Sequence, residues 1–147
     1  MKTAIIYYSK HHGNTKKLID AIAAKNEITL IDVTQIQSSD LTSYETIGFA
    51  SGIYYSKFHK LVLEFAENFL PDGKNVFFLY TCGSKKDTYT NSIREAISSK
   101  NANILGEYGC LGYDTFGPFK LIGGIAKNHP DNSDIENAVK FYESIIM

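Results

Sequence analysis

The side chains best suited to chemistry fall in four polar strings. They are Ser9-Lys10-His11-His12-Gly13-Asn14-Thr15, Ser51-Gly52-Ile53-Tyr54-Tyr55, Thr81-Cys82-Gly83-Ser84 with Tyr89 shortly after, and Gly112-Tyr113-Asp114. The first is the sharpest, because it lies between a short apolar run and an amphipathic one and so reads as a turn from a buried strand into a helix. The opening amides of a helix have no intrahelical acceptor and sit at the positive end of its dipole, so they favour an anion. Gly13 lets backbone approach closely. Ser9, Asn14 and Thr15 offer side-chain hydrogen bonds, and Lys10, His11 or His12 add charge. A phosphate suits this set; so does an ordinary strand–helix turn in which Asn14 or Thr15 serves only as a cap. The string lacks the Gly-Lys-Ser/Thr ending of a Walker loop and is not Gly-x-Gly-x-x-Gly.

Other reactive side chains favour plainer roles. Cys82, at a strand end, reads as a loop or core thiol rather than a nucleophile, and Cys110 as a buried core thiol; the two lack metal-ligand spacing. His11 and His12 are adjacent and offer no third ligand. His59 and His129 have no partner at metal spacing and read as solvated, so no metal is expected. Asp114 either orients a loop or caps a turn.

These strings must be held by regular elements. Ala4-Ile5-Ile6-Tyr7-Tyr8 is a continuous apolar block, as expected of a strand buried on both faces. Further strands are expected at 28–33, 46–51, 76–80 and 104–111. Helical spacing of Leu18, Ile19 and Ile22 predicts a helix to about Lys25, and Phe58, Leu61, Val62, Phe65 and Phe69 predict another. Ile93, Ala96 and Ile97 mark a short one. Ser133 and Glu136 form a capping-box pattern before Ile135, Val139, Tyr142 and Ile146. Residues 34–45 suit a short helix or an irregular crossover, and 52–57 a long loop. Residues 112–132, with four glycines and two prolines, form a long connection. Alternating strands and helices imply a parallel sheet covered on both faces. In such a sheet ligands bind beyond the carboxyl ends of the strands, where the strand order reverses, which is where the four polar strings lie.

The chain has 147 residues, 44% apolar and 21% charged, with net charge −1. Residues 1–147 therefore read as one domain. No basic stripe points to nucleic acid, and no apolar run approaches the roughly 20 residues of a membrane helix. The first strand begins almost at Met1, which leaves no room for a signal peptide, so a reducing, cytoplasmic setting is expected.

Ser9-x-x-x-Gly13-Asn14-Thr15 after its strand resembles the phosphate loop of flavodoxins, and the resemblance extends over the whole chain. Ser51-Gly52-Ile53-Tyr54 resembles the second flavin loop and Thr81-Cys82-Gly83-Ser84 the third. Gly112-Tyr113-Asp114-Thr115-Phe116-Gly117-Pro118-Phe119 resembles a segment of small flavodoxin-like proteins that also carry His-His-Gly-Asn-Thr. The resemblance implies a three-layer, doubly wound, five-stranded α/β fold of strand order 2-1-3-4-5 with FMN held non-covalently. The phosphate would lie on residues 9–15. Tyr54 or Tyr55, and Tyr89, would face the ring, and backbone of Gly52, Ile53, Cys82 and Gly83 would meet its polar edge. Two departures stand out. Lys10 occupies the position, three before the glycine, where flavodoxins place Ser or Thr. The chain also has no tryptophan, so stacking falls to Tyr, Phe or His.

Flavodoxins of the familiar kind have acidic rims, whereas Lys57, Lys60, Lys85, Lys86 and Lys120 fall on or beside these loops, only partly offset by Asp87. Positive charge favours the anionic reduced flavin, so the second reduction step is expected at higher potential than in acidic-rimmed relatives. The same rim suits acidic partner proteins. The first functional expectation is an electron carrier between redox proteins, as a monomer or weak dimer. The second is an FMN-dependent NAD(P)H oxidoreductase acting on a quinone or similar small acceptor. The third is a non-redox module that keeps the fold.

Overall fold

A computed structural model describes residues 2–10, 12–36, 40–113 and 124–146. Six strands, β1 (Thr3–Tyr8), β2 (Ile28–Asp32), β3 (Thr46–Tyr54), β4 (Lys57–Phe58), β5 (Asn75–Cys82) and β6 (Asn103–Leu111), form one sheet in the order β2-β1-β3-β5-β6, with β4 paired to β3. Among these strands all pairings are parallel except β3–β4. With the two-residue β4 set aside, this is the 2-1-3-4-5 order that the resemblance implies.

The helices are α1 (Asn14–Lys25), α2 (Lys60–Phe69), α3 (Asn91–Ala96) and α4 (Asn132–Ile146). Adjacent strand residues point to opposite faces, so Ile6, Phe49 and Phe78 join Val62, Phe65 and Ile93 in one core layer. Ile5 and Phe77 join Leu18, Ile19, Val139 and Tyr142 in the other. That double burial explains why the strands read as unbroken apolar runs. Gly109 and Gly48 leave room for the rings of Tyr80 and Phe77, which a Cβ at either position would strike. No helix among the described residues is long and apolar enough to cross a membrane.

Three expectations about local structure change. Residues 52–57 are not a long loop: β3 continues to Tyr54, and Tyr55 and Ser56 turn the chain with φ of 51° and 66° into β4. Two successive positive φ values are the mark of a tight type I′ hairpin turn. Phe58 therefore lies in β4, and α2 starts at Lys60. The box that opens α4 is not Ser133/Glu136 but Asp131/Asp134. The Asp134 N–H donates to Asp131 Oδ1 at 2.8 Å, and the Asp131 N–H donates to Asp134 Oδ2 at 2.9 Å. Between β2 and β3 the described residues form turns, with Asp32 and Asp40 accepting from the amides of Thr34 and Thr42. That part of the crossover is irregular, and 37–39 lie outside the described residues.

Candidate functional site

The cleft is built from the start of α1. Gly13 is its N-cap residue at φ 65°, a left-handed conformation that also holds at His12, φ 57°. A glycine meets it without strain. Ser9 Oγ reaches over to accept from the Lys16 amide at 2.9 Å. The amides of Asn14 and Thr15 lie ahead of the first intrahelical bond, which runs from the Lys17 N–H to the Gly13 carbonyl at 3.1 Å.

Asn14 is 5% exposed. Its Nδ2 donates to the Tyr113 carbonyl at 2.7 Å. A carbonyl can only accept, so this bond fixes which way the amide faces. Asn14 Oδ1 is left buried with no hydrogen-bond partner, a state that costs about 1–3 kcal/mol unless a donor arrives. Gly112 makes the arrangement possible, because a Cβ there would lie 2.7 Å from Asn14 Nδ2. The Gly112 N–H donates to the Cys82 carbonyl at 2.8 Å. Thr15 and Thr81 share a buried hydroxyl–hydroxyl bond of 2.9 Å that ties α1 to β5.

The wall opposite is aromatic. His59 caps α2, its Nδ1 accepting from the Leu61 amide at 3.1 Å, which requires a neutral ring with the proton on Nε2. Burial first, and Lys60 second, hold its pKa below the usual histidine value. The ring stacks on Tyr8 at 3.7 Å and 11°. Tyr54 meets Tyr8 and His59 edge-on, at 5.9 and 5.2 Å. The His59 amide donates to Ser51 Oγ at 3.0 Å, and that hydroxyl donates to the Gly52 carbonyl. His59 is thus a half-buried support of the second loop, not the solvated side chain its isolation in sequence suggested.

Ser9, Asn14, Thr15, Gly52, Ile53, Tyr54, Thr81, Cys82, Gly83, Gly112 and Tyr113 line one cleft. It opens at the carboxyl ends of β1, β3 and β5, where the chain, having stepped out to β2, turns back to β3. Seven of the expected residues that are described stand outside this lining: Lys10, His12, Gly13, Ser51, Tyr55, Ser84 and Tyr89. Tyr89 is buried and donates to the Ser84 carbonyl at 2.6 Å, packing edge-on against Tyr80 at 5.7 Å. Ser84 and Lys10 are exposed. Tyr55, 82% exposed, stands at the hairpin tip. Exposed His12 stacks on Tyr113 at 4.2 Å. Ser51 supports the second loop from behind. His11, Asp114 and Lys120 lie outside the described residues. Cys82 Sγ donates to the Cys110 carbonyl at 3.5 Å, and burial above all pushes the Cys110 thiol up to about 12.

His129 also departs from expectation. Its carbonyl accepts the Tyr113 N–H at 2.8 Å, and Nδ1 lies 2.6 Å from Asp134 Oδ2 and 3.8 Å from Asp131 Oδ2. Burial works to raise the Asp134 pKa, but the His129 and Asp131 hydrogen bonds outweigh it and hold the carboxyl below its ordinary value. Ligand atoms of the three side chains fall within 4.8 Å of one another, an arrangement the cap of α4 and the ion pair account for. Tyr8 and His59 belong to the site's architecture, and spacing alone assigned them no role there; Gly112 and Tyr113, of the fourth polar string, belong to it as well.

A doubly wound parallel sheet with a cleft at its switch point, opened by a helix start and walled by tyrosine, defines an α/β protein of flavodoxin-like architecture. Residues 5–120 match the family model described as a flavodoxin domain, and the chain belongs to the flavodoxin family, whose members bind flavin, typically FMN. It is 38% identical over 148 residues to an uncharacterised protein of Methanocaldococcus jannaschii, covering 99% of both chains. Among solved structures it resembles a flavodoxin from the domain Archaea, with TM-score 0.69 and 18% identity over 100% of both chains. It also resembles oxidised flavodoxin 1 of Bacillus cereus, with TM-score 0.71 and 17% identity over 99% of this chain and 97% of that one.

Proposed function

We propose that this chain binds one FMN non-covalently in the cleft and carries electrons between redox proteins. The observation that carries the reading is Asn14 Oδ1, a buried acceptor without a donor, set beside the opening amides of α1 and across from Tyr54. A ligand that satisfies both features needs a phosphate for the amides and a nearby hydroxyl for the oxygen. The ribityl phosphate of FMN has both, and its flat ring suits an aromatic wall. FMN supplies the electron chemistry when bound.

The chain's residues hold and orient. The Asn14 and Thr15 amides would take the phosphate, and Asn14 Oδ1 a ribityl hydroxyl. Tyr54, braced by Tyr8 and His59, would lie against the ring. Backbone groups of Gly52, Ile53, Cys82 and Gly83 would meet the ring's polar edge. The described lining residues include no His, Asp, Glu, Lys or Arg, in keeping with a site whose electron chemistry the flavin itself would supply.

Titration with FMN, followed by flavin absorbance and fluorescence, tests this. Uptake of one FMN per chain, with riboflavin bound on the order of 100-fold or more weakly for want of the phosphate, is the expected result. Protein that stays colourless overturns it. Stopped-flow mixing of the loaded protein with NAD(P)H should leave the flavin oxidised on the timescale of seconds; fast bleaching would assign it to the oxidoreductases instead.

A further inference from the structure

His59 stands where three elements meet. Its amide donates to Ser51 Oγ, behind the second loop, at 3.0 Å. Its ring caps α2 through Nδ1, 3.1 Å from the Leu61 amide, and lies flat on Tyr8 of β1 at 3.7 Å. Tyr54 of β3 meets both rings edge-on. Tyr54 itself lines the cleft, its ring folded over Gly52, where a Cβ would lie 3.5 Å from it. Neither Tyr8 nor His59 is part of that lining. The aromatic wall of the cleft is therefore backed by an imidazole that does not itself face the cofactor.

An imidazole keeps this place only while neutral. Nδ1 accepts from a backbone N–H, so a proton on Nδ1 sets two donors face to face. The Leu61 amide is fixed in the first turn of α2, so the ring must give way. Flipping within the stack leaves the amide facing a ring carbon, and swinging out of it abandons Tyr8. Either rearrangement, with the added charge, changes the surface against which Tyr54 is set. The titratable and charged groups around the ring come from four elements. α2 brings Lys60 and Glu64, whose effects on the ring oppose one another, β4 brings Lys57, and β1 and β3 bring the phenols of Tyr8 and Tyr54. Of these side-chain types only histidine ordinarily changes charge between about pH 5 and 8.

We propose that His59 is a positioning residue for the flavin wall and makes FMN binding proton-sensitive: the neutral ring holds Tyr54 against the cofactor, and the protonated ring does not. This rests on the flavin reading above. Linkage makes the effect reciprocal, so bound flavin resists protonation of His59 by the same factor. Burial, and Lys60 after it, hold the folded ring's pKa below the usual histidine value. Affinity is therefore whole above about pH 6.5 and is lost as the pH falls through the folded pKa.

The phosphate of FMN itself takes a proton near about pH 6, so riboflavin, which has no phosphate, is titrated beside it. Dissociation constants are read by fluorescence from about pH 8 to 5 for the parent chain, His59→Asn and Tyr54→Ala. In the parent the riboflavin constant should rise on the order of tenfold across that range. His59→Asn keeps an acceptor for the α2 cap but has no ring and gains no charge. It should bind more weakly than the parent at the alkaline end and show no such rise. Tyr54→Ala leaves His59 to titrate but removes the wall through which it acts, and should be flat as well. With FMN the same tenfold difference should separate parent from His59→Asn, because the phosphate is common to both. A level riboflavin constant in the parent, or an equal rise in either variant, overturns the proposal. Failure of FMN to bind at the alkaline end counts against the flavin reading alone. In that case, or if a variant does not fold, NMR of the flavin-free parent decides. Tyr54 ring signals that shift with the midpoint of the His59 ring support the brace, and Tyr54 signals indifferent to that titration overturn it.

Discussion

Asn14 is buried with half of its amide engaged, and that half-satisfaction can be measured. Asn14→Ala removes the acceptor in the cleft, so FMN affinity should fall about 10–100-fold. Stability of the flavin-free chain should change little, because the lost bond to Tyr113 is offset by removal of an orphaned oxygen. Gly112→Ala should weaken FMN similarly with the asparagine still present, since the new Cβ would displace its amide. Fluorescence titration and urea unfolding separate the two effects. His59 makes a pH-dependent contribution. Its pKa is depressed in the folded chain, so below about pH 6.5 the unfolded chain takes the proton first and stability falls with pH. His59→Asn keeps a capping acceptor but cannot titrate, and should flatten that part of the stability profile between about pH 7 and 5. Sequence spacing picked out Asn14 because glycine and small polar residues at a helix start are local signals. It passed over His59 because the partners that define it, Tyr8 and Ser51, are brought near only by the sheet.

The elements were legible wherever hydrophobic periodicity alone decides them. The core strands and α1 follow from runs such as Ala4 to Tyr8 and from Leu18, Ile19 and Ile22. The hairpin was hidden, because its turn residues are Tyr55 and Ser56 rather than the Asn-Gly pairs that normally announce a type I′ turn. Left-handed backbone costs an L-residue about 1–2 kcal/mol. Ser56→Gly should therefore stabilise the chain by about 0.5–1 kcal/mol, net of glycine's greater entropy when unfolded, as read from urea denaturation. A destabilised variant would mean that the Ser56 side chain contributes more than its backbone costs. The opening of α4 was misplaced by two residues because two overlapping strings fit the same capping pattern. Asp131/Asp134 prevails over Ser133/Glu136, as His129 adds a further hydrogen bond to Asp134.

At the scale of the molecule, the fold family was readable from the order of strands, helices and polar loops, while the charge on those loops is exposed and packing does not constrain it. That charge bears on the flavin. One ammonium at about 10 Å in water is worth about 0.4 kcal/mol before salt screens it, so Lys57, Lys60, Lys85 and Lys86 together should shift a potential measurably. A Lys57→Gln/Lys60→Gln/Lys85→Gln/Lys86→Gln variant should show a lower second reduction potential than the parent chain by spectroelectrochemistry; an unchanged value would place the charges too far from the ring to matter. A separate consequence follows from where the thiols sit. Cys82 belongs to one core layer and Cys110 to the other, so the sheet itself stands between their sulfurs. Air cannot clip this chain to itself. Cys82 also lines the cleft, whereas an alkylating reagent such as iodoacetamide reaches Cys110 only as the layers part. The rate at which Cys110 is capped is then a built-in clock for opening of the native fold, and a flavin that grips both sides of the cleft should slow it.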